Sequence, residues 1–319
     1  KVLGVTTTQI NCQTGTLGIP EFGTNFAIRM LEETKPKCFA DLVKISGLAH
    51  GTDVWNGNIR DLIVNKIAVF DKVLGCREDL ISDLISYGIP GFDAFQITEF
   101  VRKNLGNKNQ LKFPDKWEKY AGQMKEHQVP DWYIASTKKI QYLFPKAHAT
   151  AYVMMGYRVA WFKVYQPILY YSAYFSKRCT DFDVEAMVGG ADAIRRKIVE
   201  INLKGFEATN KEKNISDVIS VALEMCERGF KFNNIDLNIS DGFNFVIGED
   251  KKSLYIPFRA LDGMGDTVAG KIVEERQIKP FYSVEDFQMR CKISTTNLEK
   301  LRSLGVLEGL PESSQLSLF

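Results

Sequence analysis

A cation, an imidazole and an aromatic ring lie close together in the stretch FPKAHATAY. Pro145 followed by small residues is typical of a helix start, and we expect the helix to continue until just before Pro167. His148 and Tyr152 are four residues apart and therefore share one face of this helix, with Lys146 beside its first turn. Because a helix N-terminus attracts anions and an aromatic ring can stack on a base, the pattern suits a bound nucleoside triphosphate.

The same stretch also permits a purely structural interpretation. In it, Tyr152, Met155 and Trp161 belong to the hydrophobic core, and His148 is an ordinary surface histidine. Residue spacing alone favours this interpretation, because apolar residues at helical spacing most often face a core.

A glycine-rich hairpin, LDGMG, ends at Gly265, directly before a helix that we expect to begin at Asp266 or Thr267. A Gly-x-Gly turn exposes consecutive backbone N–H groups, and the helix N-terminus adds its own, so the two form a concave anion site. The pattern resembles the helix-hairpin-helix motif, which grips a DNA phosphate without reading sequence, and we favour this over a plain turn before a capped helix. The predicted DNA contacts are Gly263, Gly265, Asp266, Lys271 and Arg276.

The final pentapeptide, QLSLF, follows a polar stretch from Pro311 that is expected to be a flexible tether. An exposed Leu-Phe pair belongs in a hydrophobic pocket, and a glutamine with two apolar anchors is typical of a short linear binding motif. The pentapeptide matches the sliding-clamp-binding consensus of bacterial replication proteins; the alternative is that it folds onto its own domain. The predicted clamp contacts are Gln315, Leu316, Ser317, Leu318 and Phe319.

Asp181 and Asp183 form an Asp-x-Asp pair, the arrangement with which polymerases hold two magnesium ions. They come directly before Val184, where aspartate commonly caps a helix. No strand pattern precedes them and no third carboxylate is evident, so we assign the pair to capping. The six cysteines are scattered singly, so we predict neither a structural metal site nor catalytic residues in this chain.

The elements that must position these motifs are mainly helical up to about Gly205, where we place a domain boundary. A further helix is expected over residues 210–229. Short strands and returning helices then follow. The strands are expected near Phe230–Leu237, Phe243–Ile247 and Leu254–Phe258, and the helices over Asp266–Arg276, Val284–Met289 and Thr296–Ser303. The predicted fold class is mainly α, followed by a smaller α+β domain.

Charge is distributed unevenly along the 319 residues, although the net charge is only +2. Residues 1–100 carry −3, residues 101–205 carry +9 and residues 206–319 carry −4. The basic middle third is either a surface for a polyanion or a solvated helical face. No apolar stretch is long enough for a membrane span, and no signal pattern begins the chain, so we expect a soluble cytoplasmic protein without a membrane partner.

Together these motifs are similar to those of the alpha subunit of bacterial DNA polymerase III in its PolC form. The stretches that carry the resemblance are GIPEFG from Gly18, ISGLAHGTDVW from Ile45, YLFPKAHATAY from Tyr142, ALEMCERG from Ala222 and the terminal QLSLF. They extend over nearly the whole chain. The clamp motif after a helix-hairpin-helix domain favours the PolC form over its replicative relative.

The resemblance implies the fingers, the duplex-binding domain and the clamp-binding tail of a right-hand polymerase. Residues 1–205 would be the fingers, with residues 1–20 next to the palm, residues 206–311 the duplex-binding domain and residues 312–319 the tail. The palm, with the carboxylates that hold Mg²⁺, would lie upstream of this chain. The parent reaction would be two-metal nucleotidyl transfer, and this chain alone is expected not to extend a primer.

The resemblance also implies that Lys146, His148 and Tyr152 face the incoming dNTP. Arg158, Lys138 and Lys139 are weaker candidates for this contact. The expected partners are primer–template DNA, dNTP, the sliding clamp and the upstream palm, in the cytoplasm at the bacterial nucleoid. The alternative function is a non-catalytic, clamp-tethered DNA-binding protein of replication or repair.

Overall fold

The computed structural model describes residues 2–102 and 112–313. The chain divides into two compact units, which we name by their content. The helical unit is Ile19–Arg158, and the mixed unit combines Lys1–Gly18 with Val159–Phe319. These units are defined by compactness, whereas the boundary predicted near Gly205 separates functional domains, and that boundary stays a prediction.

The described part of the helical unit is built from α-helices whose apolar faces form its core. In chain order these helices are α1 Asn25–Thr34, α2 Phe39–His50, α3 Arg60–Val64, α4 Arg77–Ser86, α5 Gly91–Arg102, α6 Pro114–Glu126, α7 Asp131–Lys139 and α8 Lys146–Tyr165, which ends in the mixed unit. Ile45 and Leu48 of α2 and Leu80 and Leu84 of α4 are fully buried, as the helical periodicity requires.

The mixed unit combines further helices with one small sheet. The helices are α9 Pro167–Arg178, α10 Val184–Val188, α11 Gly190–Leu203, α12 Asn210–Glu227, α13 Asp266–Ile278, α14 Val284–Cys291 and α15 Thr295–Ser303, and the strands are β1 Lys231–Asn233, β2 Val246–Ile247 and β3 Ser253–Tyr255. The strand order is β1-β3-β2, with β1 parallel and β2 antiparallel to β3. The predicted fold class is confirmed: the chain is mainly α-helical with a small α+β part. None of the described helices is long and apolar enough to cross a membrane.

The strands lie where the sequence predicts them but are shorter than expected, because acidic side chains accept hydrogen bonds from neighbouring backbone N–H groups. The Asp236 carboxylate accepts the N–H groups of Asn238 and Ile239, and Asp241 accepts that of Phe243. These side-chain bonds replace ladder hydrogen bonds and turn the chain away from the sheet.

A buried ion pair lies in the core of the mixed unit. Lys163 of α8 and Glu224 of α12 are 1% and 0% exposed, with Nζ 2.8 Å from Oε1. The ammonium also donates to the carbonyl oxygens of Gly15 at 2.9 Å and Leu17 at 2.6 Å. All of its donors are therefore used, and one side chain joins α8, α12 and the segment that leads into the helical unit.

Two further side chains complete this network. The Tyr171 hydroxyl donates to Glu224 Oε1 at 2.7 Å and accepts from Arg228 Nη1 at 3.0 Å. Arg228 Nη1 also donates to the Lys163 carbonyl oxygen. Burial lowers the pKa of Lys163, while the Glu224 carboxylate opposes that shift. Such a pair is stable only because every charged atom in it has a partner.

Replacing Lys163 by methionine should lower the free energy of unfolding by about 3–5 kcal/mol, because Glu224 would keep its buried charge without a cation. The double variant Lys163→Met/Glu224→Gln should recover a large part of that loss. The measurement is urea unfolding, with Lys177→Met, an exposed lysine of α9, as the control. If Lys163→Met and the control Lys177→Met had equal free energies of unfolding, the role assigned to the ion pair would be contradicted.

Candidate nucleotide and DNA contacts

The predicted nucleotide contacts lie in the part of α8 that belongs to the helical unit. α8 begins at Lys146, directly after Pro145, and ends before Pro167, as the sequence predicts. Glu78 of α4 accepts the Lys146 backbone N–H at 2.7 Å, and Asp79 of α4 is 2.7 Å from Lys146 Nζ. A carboxylate therefore already lies at the N-terminus of α8, and a second one orients the ammonium.

The electrostatics of this corner keep Lys146 charged. Its hydrogen bond with Asp79 raises its pKa, and partial burial opposes the shift without cancelling it. The side chain is still 51% exposed, whereas that of Asp79 is 14% exposed. Lys146 can therefore reach an anion in solvent while Asp79 holds it from the protein side.

His148 and Tyr152 lie together on the same face of α8. Their ring centroids are 4.6 Å apart in an edge-to-face arrangement. Tyr152, Met155 and Trp161 are 39%, 48% and 48% exposed. The structural interpretation that placed these three residues in the core is therefore wrong for this chain.

Small residues explain which face α8 buries. Ala149 and Val153 are fully buried, and Gly156 lies so close to residue 20 that a Cβ atom would be 2.8 Å from the Pro20 carbonyl oxygen. The close contact requires small side chains on this face and leaves the aromatic ones outside. The aromatic ring of Tyr152 is thus exposed on the same helix as Lys146.

Arg158, Lys138 and Lys139 are less closely associated with this surface. Arg158 is exposed but lies six residues beyond Tyr152, about 120° away around the helix at 3.6 residues per turn. Lys138 and Lys139 end α7, where Lys139 Nζ donates to the Gly57 carbonyl oxygen at 2.9 Å. The structure brings together Lys146, His148 and Tyr152 on the first two turns of α8.

Of the Asp-x-Asp pair, Asp183 has the capping role that we assigned to both residues. Asp183 is the N-cap of α10, and its side chain accepts the Ala186 backbone N–H at 2.9 Å. Asp181 accepts a hydrogen bond from Asn214 Nδ2 at 3.1 Å. Within residues 2–102 and 112–313, no three His, Cys, Asp or Glu side chains lie close enough to hold a metal ion.

The glycine-rich hairpin connects a short 3₁₀ turn, Phe258–Ala260, to α13. Its two glycines have different roles. Gly263 has a φ of +86°, a left-handed conformation that L-residues with a Cβ atom avoid. Gly265 is the N-cap of α13 with an ordinary φ of −72°, and a Cβ atom there would meet nothing within 4 Å. The backbone at Gly265 is therefore open to approach from outside.

Two buried apolar residues of the hairpin and two polar side chains of α15 hold the hairpin in place. Leu261 and Met264 are buried. Asn297 Nδ2 donates to the Gly263 carbonyl oxygen at 3.0 Å, and Lys300 Nζ donates to that of Asp262 at 2.6 Å. The turn thus has a fixed shape before any ligand arrives.

The other predicted DNA contacts follow the hairpin along α13. Asp266 is exposed in the first turn and Lys271 is half-buried. Arg276 donates to the carbonyl oxygens of Leu237 and Ser240, both at 2.8 Å, and burial lowers its pKa. Arg276 is thus engaged with the protein backbone, while Asp266 lies beside the open hairpin.

The predicted clamp contacts Gln315–Phe319 lie outside the described residues. The chain just before them is attached to α14. The backbone N–H groups of Val284 and Glu285 donate to the carbonyl oxygens of Pro311 and Glu312. The Ser313 hydroxyl also donates to Glu285 Oε2 at 2.8 Å, so the expectation that the polar stretch is a free tether from Pro311 onwards is wrong as far as residue 313.

Comparison with known proteins identifies the family of the chain. Residues 5–128 match the bacterial DNA polymerase III alpha subunit finger domain, and residues 229–316 match a helix-hairpin-helix motif. Over 99% of its length the chain is 52% identical to the DNA polymerase III PolC-type of Oceanobacillus iheyensis, of which it covers 21%. It is 53% identical over its whole length to that of Halalkalibacterium halodurans and 51% identical over 99% to that of Bacillus subtilis, covering 21% of each.

The chain belongs to the PolC-type family of bacterial DNA polymerase III. It spans about a fifth of the length of these PolC-type relatives. The finger-domain match ends before α8, whereas the helix-hairpin-helix match includes the whole of the glycine-rich hairpin. The PolC resemblance inferred from the sequence motifs is confirmed.

Sequence reasoning missed three charged residues around the PolC hairpin. Lys211, Asp262 and Lys300 come from three separate segments of the mixed unit and form ion pairs there. Only Asp262 lies within the LDGMG hairpin itself, so no local pattern in the sequence connects it with the two lysines.

Proposed function

We propose that this chain supplies three contacts of a replicative DNA-directed DNA polymerase: incoming dNTP, duplex DNA and the sliding clamp. The observation that carries the proposal is the open, braced hairpin at Gly265, in a chain about half identical to PolC-type polymerases over its whole length. The names of those relatives favour a polymerase over a non-catalytic DNA-binding protein.

Duplex binding is assigned to the hairpin and the first turn of α13. The first backbone N–H groups of a helix have no partner within the helix, and at α13 they follow Gly265 directly. A phosphate can approach them closely because the nearest residue has no side chain. Such contacts position DNA without reading its sequence.

The dNTP contact is assigned to Lys146, with His148 and Tyr152 as a ring surface for the base. Lys146 is charged, half exposed and oriented by Asp79. A triphosphate suits such an ammonium, because charge-assisted hydrogen bonds are about twice as strong as neutral ones. The Mg²⁺ ions of the parent reaction would neutralise the triphosphate and be held by carboxylates outside this chain.

Clamp binding is assigned to Gln315–Phe319. Leu316, Leu318 and Phe319 supply apolar anchors, and Gln315 can both donate and accept hydrogen bonds. The proposed partners are therefore primer–template DNA, dNTP, the clamp and the palm of the same polymerase, at the bacterial nucleoid.

Replacing Gly265 by valine should weaken binding of the 319-residue chain to duplex DNA by about tenfold, because lost hydrogen bonds to a charged group cost about 1.5–3 kcal/mol. Its φ of −72° suits valine, so the thermal unfolding midpoint should stay nearly unchanged. Fluorescence anisotropy with a labelled duplex gives the affinity. Gly122→Ala, where a Cβ atom also meets nothing, is the control. A folded Gly265→Val chain with undiminished affinity would mean that the hairpin is structural only.

Replacing Lys146 by alanine in the full-length polymerase should raise the KM for dNTP by about tenfold, because one charge-assisted hydrogen bond is lost. Affinity for primer–template DNA should change little. Steady-state incorporation kinetics and duplex titration measure the two quantities, with Lys119→Ala, exposed on α6, as the control. Reduced DNA affinity with a normal dNTP dependence would instead place Lys146 on the path of the template.

Removal of Gln315–Phe319 should eliminate most of the affinity for the sliding clamp, because each buried apolar anchor contributes about 1.5–3 kcal/mol. Thermal stability and duplex binding should remain nearly as in the intact chain. Surface plasmon resonance against immobilised clamp compares the intact chain, a chain ending at Ser314 and one with the pentapeptide scrambled. Comparable affinities would show that the tail is not the clamp contact.

A further inference from the structure

A cavity of about 300 Å³ opens beside the hairpin in the mixed unit. Its lining includes Lys211 from the first turn of α12, Lys300 from α15 and Asp262 from the hairpin. Asp183 and Glu185 of α10 complete its charged residues. The cavity is therefore lined both by the hairpin of the proposed duplex contact and by two lysines outside the LDGMG sequence.

Asp262 is the common partner of the two lysines. Its Oδ1 is 2.5 Å from Lys211 Nζ, and its Oδ2 is 3.4 Å from Lys300 Nζ. The hydrogen bond from Lys211 lowers the pKa of Asp262, and the same bond raises the pKa of Lys211. These two ammonium groups and one carboxylate by themselves carry a net charge of +1, whereas Asp183 and Glu185 bring the lining as a whole to −1.

The carboxylate in this corner is exposed and exchangeable. The Asp262 side chain is 62% exposed, and an ion pair in such a position contributes little to stability. A phosphodiester carries the same single negative charge and also presents two acceptor oxygens. It can therefore replace the carboxylate at small electrostatic cost.

The geometry also places Lys300 at the hairpin backbone. Its Nζ donates to the Asp262 carbonyl oxygen. A Cβ atom on Gly263 would lie 3.8 Å from the same Lys300 Nζ. A phosphate at the hairpin N–H groups and one beside the lysines would thus lie on one continuous surface. Asp183 is engaged with Lys197 and the Ala186 N–H, so it does not compete for the two lysines.

We propose that Lys211 and Lys300 form a second phosphate-binding site next to the hairpin, which Asp262 occupies until a backbone phosphate of duplex DNA replaces it. The proposal rests on the duplex binding proposed above. Exposed Glu185 repels a phosphate from its part of the lining, which confines the anion to the two lysines. Asp262 thus competes with DNA and limits its affinity.

The test is Asp262→Asn, which keeps the shape of the side chain and removes its charge. Duplex affinity of the 319-residue chain should rise at least threefold. The slope of log K against log salt concentration should steepen by about one to two, because each lysine–phosphate contact releases about 0.9 counterion. The double variant Asp262→Asn/Lys211→Ala should lose most of this gain.

Asp192→Asn on α11 is the matched control. Asp192 is 87% exposed and pairs with Arg195 at 3.3 Å, so the variant changes the net charge equally without touching the hairpin. If the chain binds duplex and both asparagine variants behave alike, the second phosphate site is wrong and the proposed duplex binding stands.

Two further outcomes are decisive. If neither the parent chain nor Asp262→Asn binds duplex at low salt, the duplex binding itself is wrong and this proposal fails with it. Calorimetric titration with inorganic pyrophosphate tests a free anion as the ligand. Tighter pyrophosphate binding by Asp262→Asn, with unchanged duplex affinity, would assign the site to a free anion and overturn the proposal.

Discussion

The mixed unit depends on the burial of one lysine against one glutamate. Lys163 and Glu224 have no access to solvent, so their charges are tolerated only while the carbonyl oxygens of Gly15 and Leu17 and the Tyr171 hydroxyl remain in place. These groups come from four segments: α8, α9, α12 and the loop that contains Gly15 and Leu17. The pair therefore requires these segments to assemble together, and a shift of any one of them leaves a buried charge unpaired.

Lysines that form ion pairs with aspartate occur at two of the proposed phosphate contacts, one in each unit. Lys146 is held by Asp79, and Lys211 and Lys300 share Asp262. In each place the carboxylate orients a long, flexible side chain and lowers its attraction for other anions. Orientation reduces the entropy lost when a ligand binds, and competition from the carboxylate keeps the interaction reversible.

Part of this architecture could be read directly from the sequence. The limits of α8 follow from Pro145 and Pro167, and the hairpin follows from its glycines and buried Leu261 and Met264. These are local signals, in which the residue type itself sets the backbone conformation or the burial. The fold class could be predicted for the same reason, whereas the family was predicted from the resemblance of whole motifs to those of a known family.

The remaining features depend on contacts between distant segments. Lys163 and Glu224 are 61 residues apart, and charged residues normally lie on the surface, so nothing in the sequence indicated their burial. Residue spacing alone could not decide which face of α8 is exposed because both faces carry apolar residues, whereas the close approach of Pro20 to Gly156 fixes the buried face. Likewise, Asp262 meets Lys211 across 51 residues of chain.

The attachment of Pro311 and Glu312 to α14 limits how far the proposed clamp contact can lie from the mixed unit. Gln315 is only three residues beyond Glu312, and an extended chain advances at most about 3.6 Å per residue. The first residue of the proposed clamp contact can therefore be at most roughly 11 Å from this anchor point. With so short a connection, the proposed clamp contact and the proposed duplex contact would act together as a bivalent attachment, in which release of one leaves the other engaged.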